Sequence, residues 1–155
     1  MKYKCENELN TLEFKEFNVD KITFNNNKLV LYTNCGIARY NNSCNETLEE
    51  RYISETELSF LNCTINKFYI EGSKYFNPND VLIKETPDCI IDSKDYNSNL
   101  KKLNGGIIYF ISGKFDTEGF NGEIAIDVED DTYWIDIKCE KVIAGFDRFM
   151  NRVMN

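Results

Sequence analysis

Apolar and polar residues alternate with a period of two along most of this chain, the spacing of half-buried β-strands. Leu12 and Phe14 alternate with Glu13 and Lys15, and Ile22 and Phe24 alternate with Lys21 and Thr23. The cluster Asn25-Asn26-Asn27 then supplies turn residues ahead of Lys28-Leu29-Val30-Leu31-Tyr32, a β-favouring run. Residues 19–33 are therefore predicted to form a hairpin. Asn34-Cys35-Gly36 breaks the strand and Ile37-Ala38-Arg39-Tyr40 resumes it.

Residues 41–54 are polar, and Ser43-Cys44-Asn45-Glu46 fits a capping box, so a short helical turn and a loop are both open there. Thr56, Leu58 and Phe60 share one face, after which the parity flips to Leu61, Cys63 and Ile65. A β-bulge is the predicted cause. Pro87 separates the short runs Val81-Leu82-Ile83 and Cys89-Ile90-Ile91 and should interrupt pairing. Leu100 and Leu103 predict one or two helical turns within residues 94–103, stopped by Asn104-Gly105-Gly106. Five consecutive apolar residues in 107–112 predict a central strand covered on both faces.

The clearest hairpin spans residues 123–139. Ile124, Ile126 and Val128 point one way, Glu129-Asp130-Asp131 turns the chain, and Tyr133, Ile135, Ile137 and Cys139 share the apolar face of the return strand. In the tail, Phe146, Phe149, Met150 and Val153 are spaced as in an amphipathic helix. No repeat of fixed period appears, and strands do not alternate regularly with helices. The predicted fold is mainly β: an antiparallel β-sandwich or open barrel of seven to ten short strands with a short C-terminal helix, in one domain over residues 1–155.

Composition agrees with a packed core, since 42% of the 155 residues are hydrophobic and 14% aromatic. The first residues lack an apolar export segment, and the longest apolar run falls far short of the ~20 residues that span a bilayer. A cytoplasmic location and no membrane partner are expected. Six cysteines, with no C-x-x-C pair and no histidine, then read as reduced thiols, mostly small buried hydrophobes, and no metal site or cofactor is expected.

Charge changes the picture more. The net charge is −8, and it lies in one place. Residues 115–140 hold nine acids (Asp116, Glu118, Glu123, Asp127, Glu129, Asp130, Asp131, Asp136 and Glu140) against one base, Lys138. Acids and bases balance in the remainder of the chain. Such a field repels nucleic acid and attracts basic partners. A solvated, merely solubilising face is the plainer alternative.

Without histidine, Ser-His and Cys-His nucleophile pairs cannot form. Phosphate-binding glycine loops are absent. A carboxylate pair drawn from Glu123, Asp127 and Asp136 remains conceivable on one strand face, but no motif marks it and no catalytic residue is assigned. The run Asp127-Val128-Glu129-Asp130-Asp131 lacks the glycine and spacing of a calcium loop. The sole tryptophan, Trp134, lies on the strand face with Asp136 and Lys138, opposite the apolar face. It is exposed if that apolar face covers the core, and buried if the C-terminal helix or another sheet lies over it. Exposed tryptophan is enriched in interface hot spots.

The stretch Leu12-Glu13-Phe14-Lys15-Glu16-Phe17-Asn18-Val19-Asp20-Lys21-Ile22-Thr23-Phe24, the run Lys28-Leu29-Val30-Leu31 and the hairpin from Ile124 to Ile137 together resemble, in style, small bacterial immunity proteins of polymorphic and contact-dependent toxin systems. That resemblance implies a non-catalytic, cytosolic, strand-rich inhibitor that covers a toxin domain. The local acid excess suits a basic toxin surface such as a nuclease. The expected partner-binding residues are Glu123, Asp127, Glu129, Asp130, Asp131, Trp134 and Asp136. The alternative is a small-ligand or carbohydrate-binding β-domain that stacks its ligand on aromatic rings.

Overall fold

Turn-forming residues and left-handed backbone cut the apolar alternation into short strands. The computed structural model describes residues 1–154. Among them the chain forms β1 (Tyr3–Glu6), β2 (Leu12–Glu13), β3 (Val19–Asn25), β4 (Lys28–Thr33), β5 (Gly36–Ala38), β6 (Arg51–Ile53), β7 (Thr56–Leu61) and β8 (Thr64–Ile70). There follow β9 (Ser73–Phe76), β10 (Leu82–Thr86), β11 (Cys89–Ile90), α1 (Tyr96–Lys102), β12 (Ile107–Asp116), β13 (Gly119–Val128), β14 (Asp131–Cys139), β15 (Lys141–Phe146) and β16 (Phe149–Arg152).

All strand pairs are antiparallel. One five-stranded sheet has the order β1-β15-β7-β4-β3, and a second has the order β11-β8-β14-β13-β12. A four-stranded sheet β16-β6-β5-β2 and the hairpin β9-β10 complete the fold. The two larger sheets pack as a sandwich. Leu29, Leu31, Leu58 and Phe60 of one meet Phe68, Phe120, Ile124 and Ile135 of the other in a continuous buried core. The rings of Phe60 and Phe120 lie 6.2 Å apart across it.

Both predicted hairpins form. Asn26 and Asn27 adopt φ of 51° and 59°, the doubly left-handed turn whose twist matches paired strands. Glu129, at φ 55°, turns β13 into β14. The predicted helical turns are present as α1, with Leu100 and Leu103 buried beneath it.

Three expectations are corrected. The parity flip after Phe60 is not a bulge: Asn62, at φ 49°, carries the chain from β7 in one sheet to β8 in the other. Residues 107–112 do not form a central strand. They begin β12, the outermost strand of its sheet, and only Ile108 is fully buried, because an irregularity between Ile108 and Phe110 turns the large side chains outward. The short C-terminal helix is absent too. Residues 149–152 form β16, and Asp147 and Arg148 turn the chain, their N–H groups both donating to the Ser54 hydroxyl at 3.2 Å. The helix-like spacing of Phe146 and Phe149 instead brings their rings edge to face at 5.2 Å across that turn.

The polar segment 41–50 is a loop held by two buried asparagines. Asn42 donates to Thr11 Oγ1 at 2.9 Å and accepts from the Cys44 N–H at 3.0 Å. Asn45 donates to the carbonyls of Arg39 and Glu49 at 3.0 and 2.9 Å and accepts from the Thr47 N–H at 3.0 Å. All six cysteines are free thiols, with Cys5, Cys63 and Cys139 buried.

Candidate functional site

Period-two geometry sends Ile124, Ile126, Tyr133, Ile135 and Ile137 inward, so Glu123, Ala125, Asp127, Trp134 and Asp136 must share the outer face of the sheet. Register then aligns a row across all five strands. Ile90 on β11 stands opposite Tyr69 on β8, Tyr69 opposite Trp134 on β14, Trp134 opposite Ala125 on β13, and Ala125 opposite Phe110 on β12. The row is apolar and aromatic from edge to edge. Ile90 is 56% exposed at one end and Phe110 39% at the other, while Ala125 is covered completely.

Charge flanks this row on both sides. On one side Lys67, Asp136, Glu123 and Ser112 stand in register; on the other, Thr132 pairs with Asp127 and Asp127 with Ile107. Thr132 donates to Asp127 at 2.6 Å, which fixes that carboxylate in place. Burial raises the Tyr69 phenol above its usual pKa, and the negative charges of Asp136, Asp88, Glu123 and Glu71 raise it further. The charges of four carboxylates therefore act on one phenol of the row.

Trp134 is neither fully exposed nor fully buried. Its ring lies edge-on to Tyr109 at 6.4 Å and tilted on Phe110 at 6.0 Å, both from the neighbouring edge strand β12. Two buried polar atoms of this face find no hydrogen-bond partner: the Trp134 ring N–H and one carboxylate oxygen of Asp136. They sit two residues apart on one strand face, one a donor and the other an acceptor. Lys67, directly opposite Asp136, places its ammonium 4.1 Å from the centre of the Tyr69 ring instead. Lys138, the only base of the acidic segment, is held by Glu118 at 2.5 Å, and that hydrogen bond raises the pKa of its ammonium. Among the described residues, Glu123, Asp127 and Asp136 take part in no ion pair.

Of the seven residues singled out from the sequence, four meet on this face: Glu123, Asp127, Trp134 and Asp136. Glu129, Asp130 and Asp131 stand at the end of the hairpin, at its turn. Sequence reasoning missed Tyr69, Phe110, Tyr109 and Ile90. Their membership depends on which strands are neighbours, and the alternation of any single strand carries no such signal. Among the described residues no three acid or thiol side chains converge as metal ligands. Nor, among the described residues, is any helix long and apolar enough to cross a membrane. No protein-family model, curated protein or solved structure matches the chain.

Proposed function

We propose that the chain is a non-catalytic protein-binding domain of the immunity type, which neutralises a basic toxin domain by covering it with the outer face of the β11-β8-β14-β13-β12 sheet. The observation that carries this reading is the aromatic row from Ile90 through Tyr69 and Trp134 to Phe110, which crosses all five strands and is flanked by Glu123, Asp127 and Asp136. Interface centres are rich in tryptophan and tyrosine with charge at the rim, and this face has that layout. The unneutralised carboxylates steer a positively charged surface and repel nucleic acid, so a nuclease domain is a fitting target.

The test is titration calorimetry against the product of the adjacent gene, at low and at physiological salt. Binding is expected at both, tighter at low salt, and weakened at least tenfold by Trp134→Ala or Asp136→Ala. No binding at either salt, or binding indifferent to both substitutions, overturns the reading.

A further inference from the structure

Long exposed sheet edges invite pairing, and folded proteins normally shorten or cover them. Here most terminal strands are short: β1 and β16 have four residues, β2 and β11 only two. The seven-residue edge strand β3 is covered, because α1 packs along it and Asn104 accepts the Ile22 N–H at 3.2 Å. β12, the other long terminal strand, has ten residues. Its start is bonded by residues 16–19, through Glu16 N–H to the Ile108 carbonyl and Ile108 N–H to the Phe17 carbonyl. Beyond Ile108, among the described residues, no backbone group bonds to the open side of this strand.

After β2 the chain runs to the start of β12, where Glu16 and Phe17 bond to Ile108. A trough of about 530 Å³ lies between the two strands, walled by Leu12, Phe14 and Ile111 and rimmed by Lys15 and the Glu13–Arg39 ion pair at 2.7 Å. A second trough of about 430 Å³ continues along the same strand past Gly113 to Phe115, and Asn10 lines both. β2 is itself the terminal strand of its sheet, so both walls are sheet edges.

We propose that this edge receives an extended segment of a protein partner, added as a strand along residues 109–115. A row of free N–H and C=O groups selects a strand over a helix, and backbone bonding supplies affinity while alternate side chains supply specificity. The inward positions of that segment must be apolar, to stand beside Ile111 and Phe115, which pair with the buried Ile124 and Phe120. Lys15 and Glu16 line this trough beside the Glu13–Arg39 ion pair, so its formal charges balance and the outward positions need carry no net charge. This contact meets the aromatic row at Phe110 and involves neither Trp134 nor Asp136.

Selection of displayed eight-residue peptides on the intact protein, followed by amide hydrogen exchange with the enriched peptides, tests the proposal. The expected peptides alternate apolar with polar residues and slow exchange in residues 109–115 at least tenfold. Asn10→Trp, which fills the trough from the wall opposite β12, should abolish that binding while leaving the unfolding midpoint unchanged. Asp136→Ala should leave it intact, so failure here is distinguishable from failure of the sheet-face reading. No enrichment overturns the proposal. So does an enriched peptide that fills the trough without slowing those amides, or pairing of the edge with a second copy of the chain in place of peptide.

Discussion

Glu123 and Asp136 stand directly opposite each other on β13 and β14, so two carboxylates occupy one cross-strand position. Like charges placed this way destabilise a sheet, by about 0.2–1 kcal/mol. The neighbouring cation does not relieve them, since Lys67 lies over the Tyr69 ring. Glu123→Gln should therefore raise stability by about 0.5 kcal/mol in urea unfolding, and by less in 1 M salt, where the repulsion is screened. Unchanged or lower stability in the variant counts against uncompensated repulsion at this position. A gain in stability accompanied by weaker partner binding is the signature of residues kept for a surface.

Trp134 combines a ring that packs with an N–H that does not. Trp134→Phe removes the unmet donor and keeps most of the ring, so folding stability should change by less than about 1 kcal/mol. Trp134→Ala strips the cover from Ala125 and Phe110 and should cost about 2–3 kcal/mol, less than a fully buried tryptophan. Urea unfolding of both variants decides between them. An equal loss in both would mean that the N–H is satisfied in solution.

Strand alternation was legible in the sequence wherever one face was buried and the other wet, as at Ile124 to Ile137. It failed where two causes give one spacing. Phe146 and Phe149 sit three apart, which suits a helix and equally suits two strands meeting at a turn. The run at 107–111 is apolar because its outward residues Ile107, Tyr109 and Phe110 line a surface, not because both faces are buried. The acidic residues of the site were visible as a charge excess. Their aromatic companions Tyr69 and Phe110 were not, because they come from strands some 65 and 24 residues away from Trp134 in the chain.

Asn45 is buried and serves three backbone carbonyls and the Thr47 N–H, so it substitutes for regular structure in the loop before β6. Asn45→Ala leaves those groups without partners and should cost about 2–3 kcal/mol in urea unfolding. Asn45→Asp keeps the acceptor but replaces the donors with a charge facing carbonyls, and it should cost at least as much. A loss below about 0.5 kcal/mol in either variant would show that water takes over these bonds.

Burial pushes the Cys63 thiol up to about 12 and the Cys5 and Cys139 thiols up to about 11, from an ordinary value of 9.0. The folded state therefore holds its thiol protons at a pH where the unfolded chain has released them. The stability this contributes is complete below pH 9 and is lost as pH rises from 9 through 11 to 12. Each thiol steepens the fall by up to about 1.4 kcal/mol per pH unit within that window. Tyr69, Tyr133 and Lys138 are also raised and add to the decline, so the thiol share is read as a difference. The variant Cys5→Ala/Cys63→Ala/Cys139→Ala should lose stability less steeply than the unmodified chain between pH 9 and 11. Parallel curves would mean that the thiols ionise in place. Alkylation gives an independent check at pH 8: exposed Cys89 should react in the folded protein, and Cys5, Cys63 and Cys139 only after unfolding.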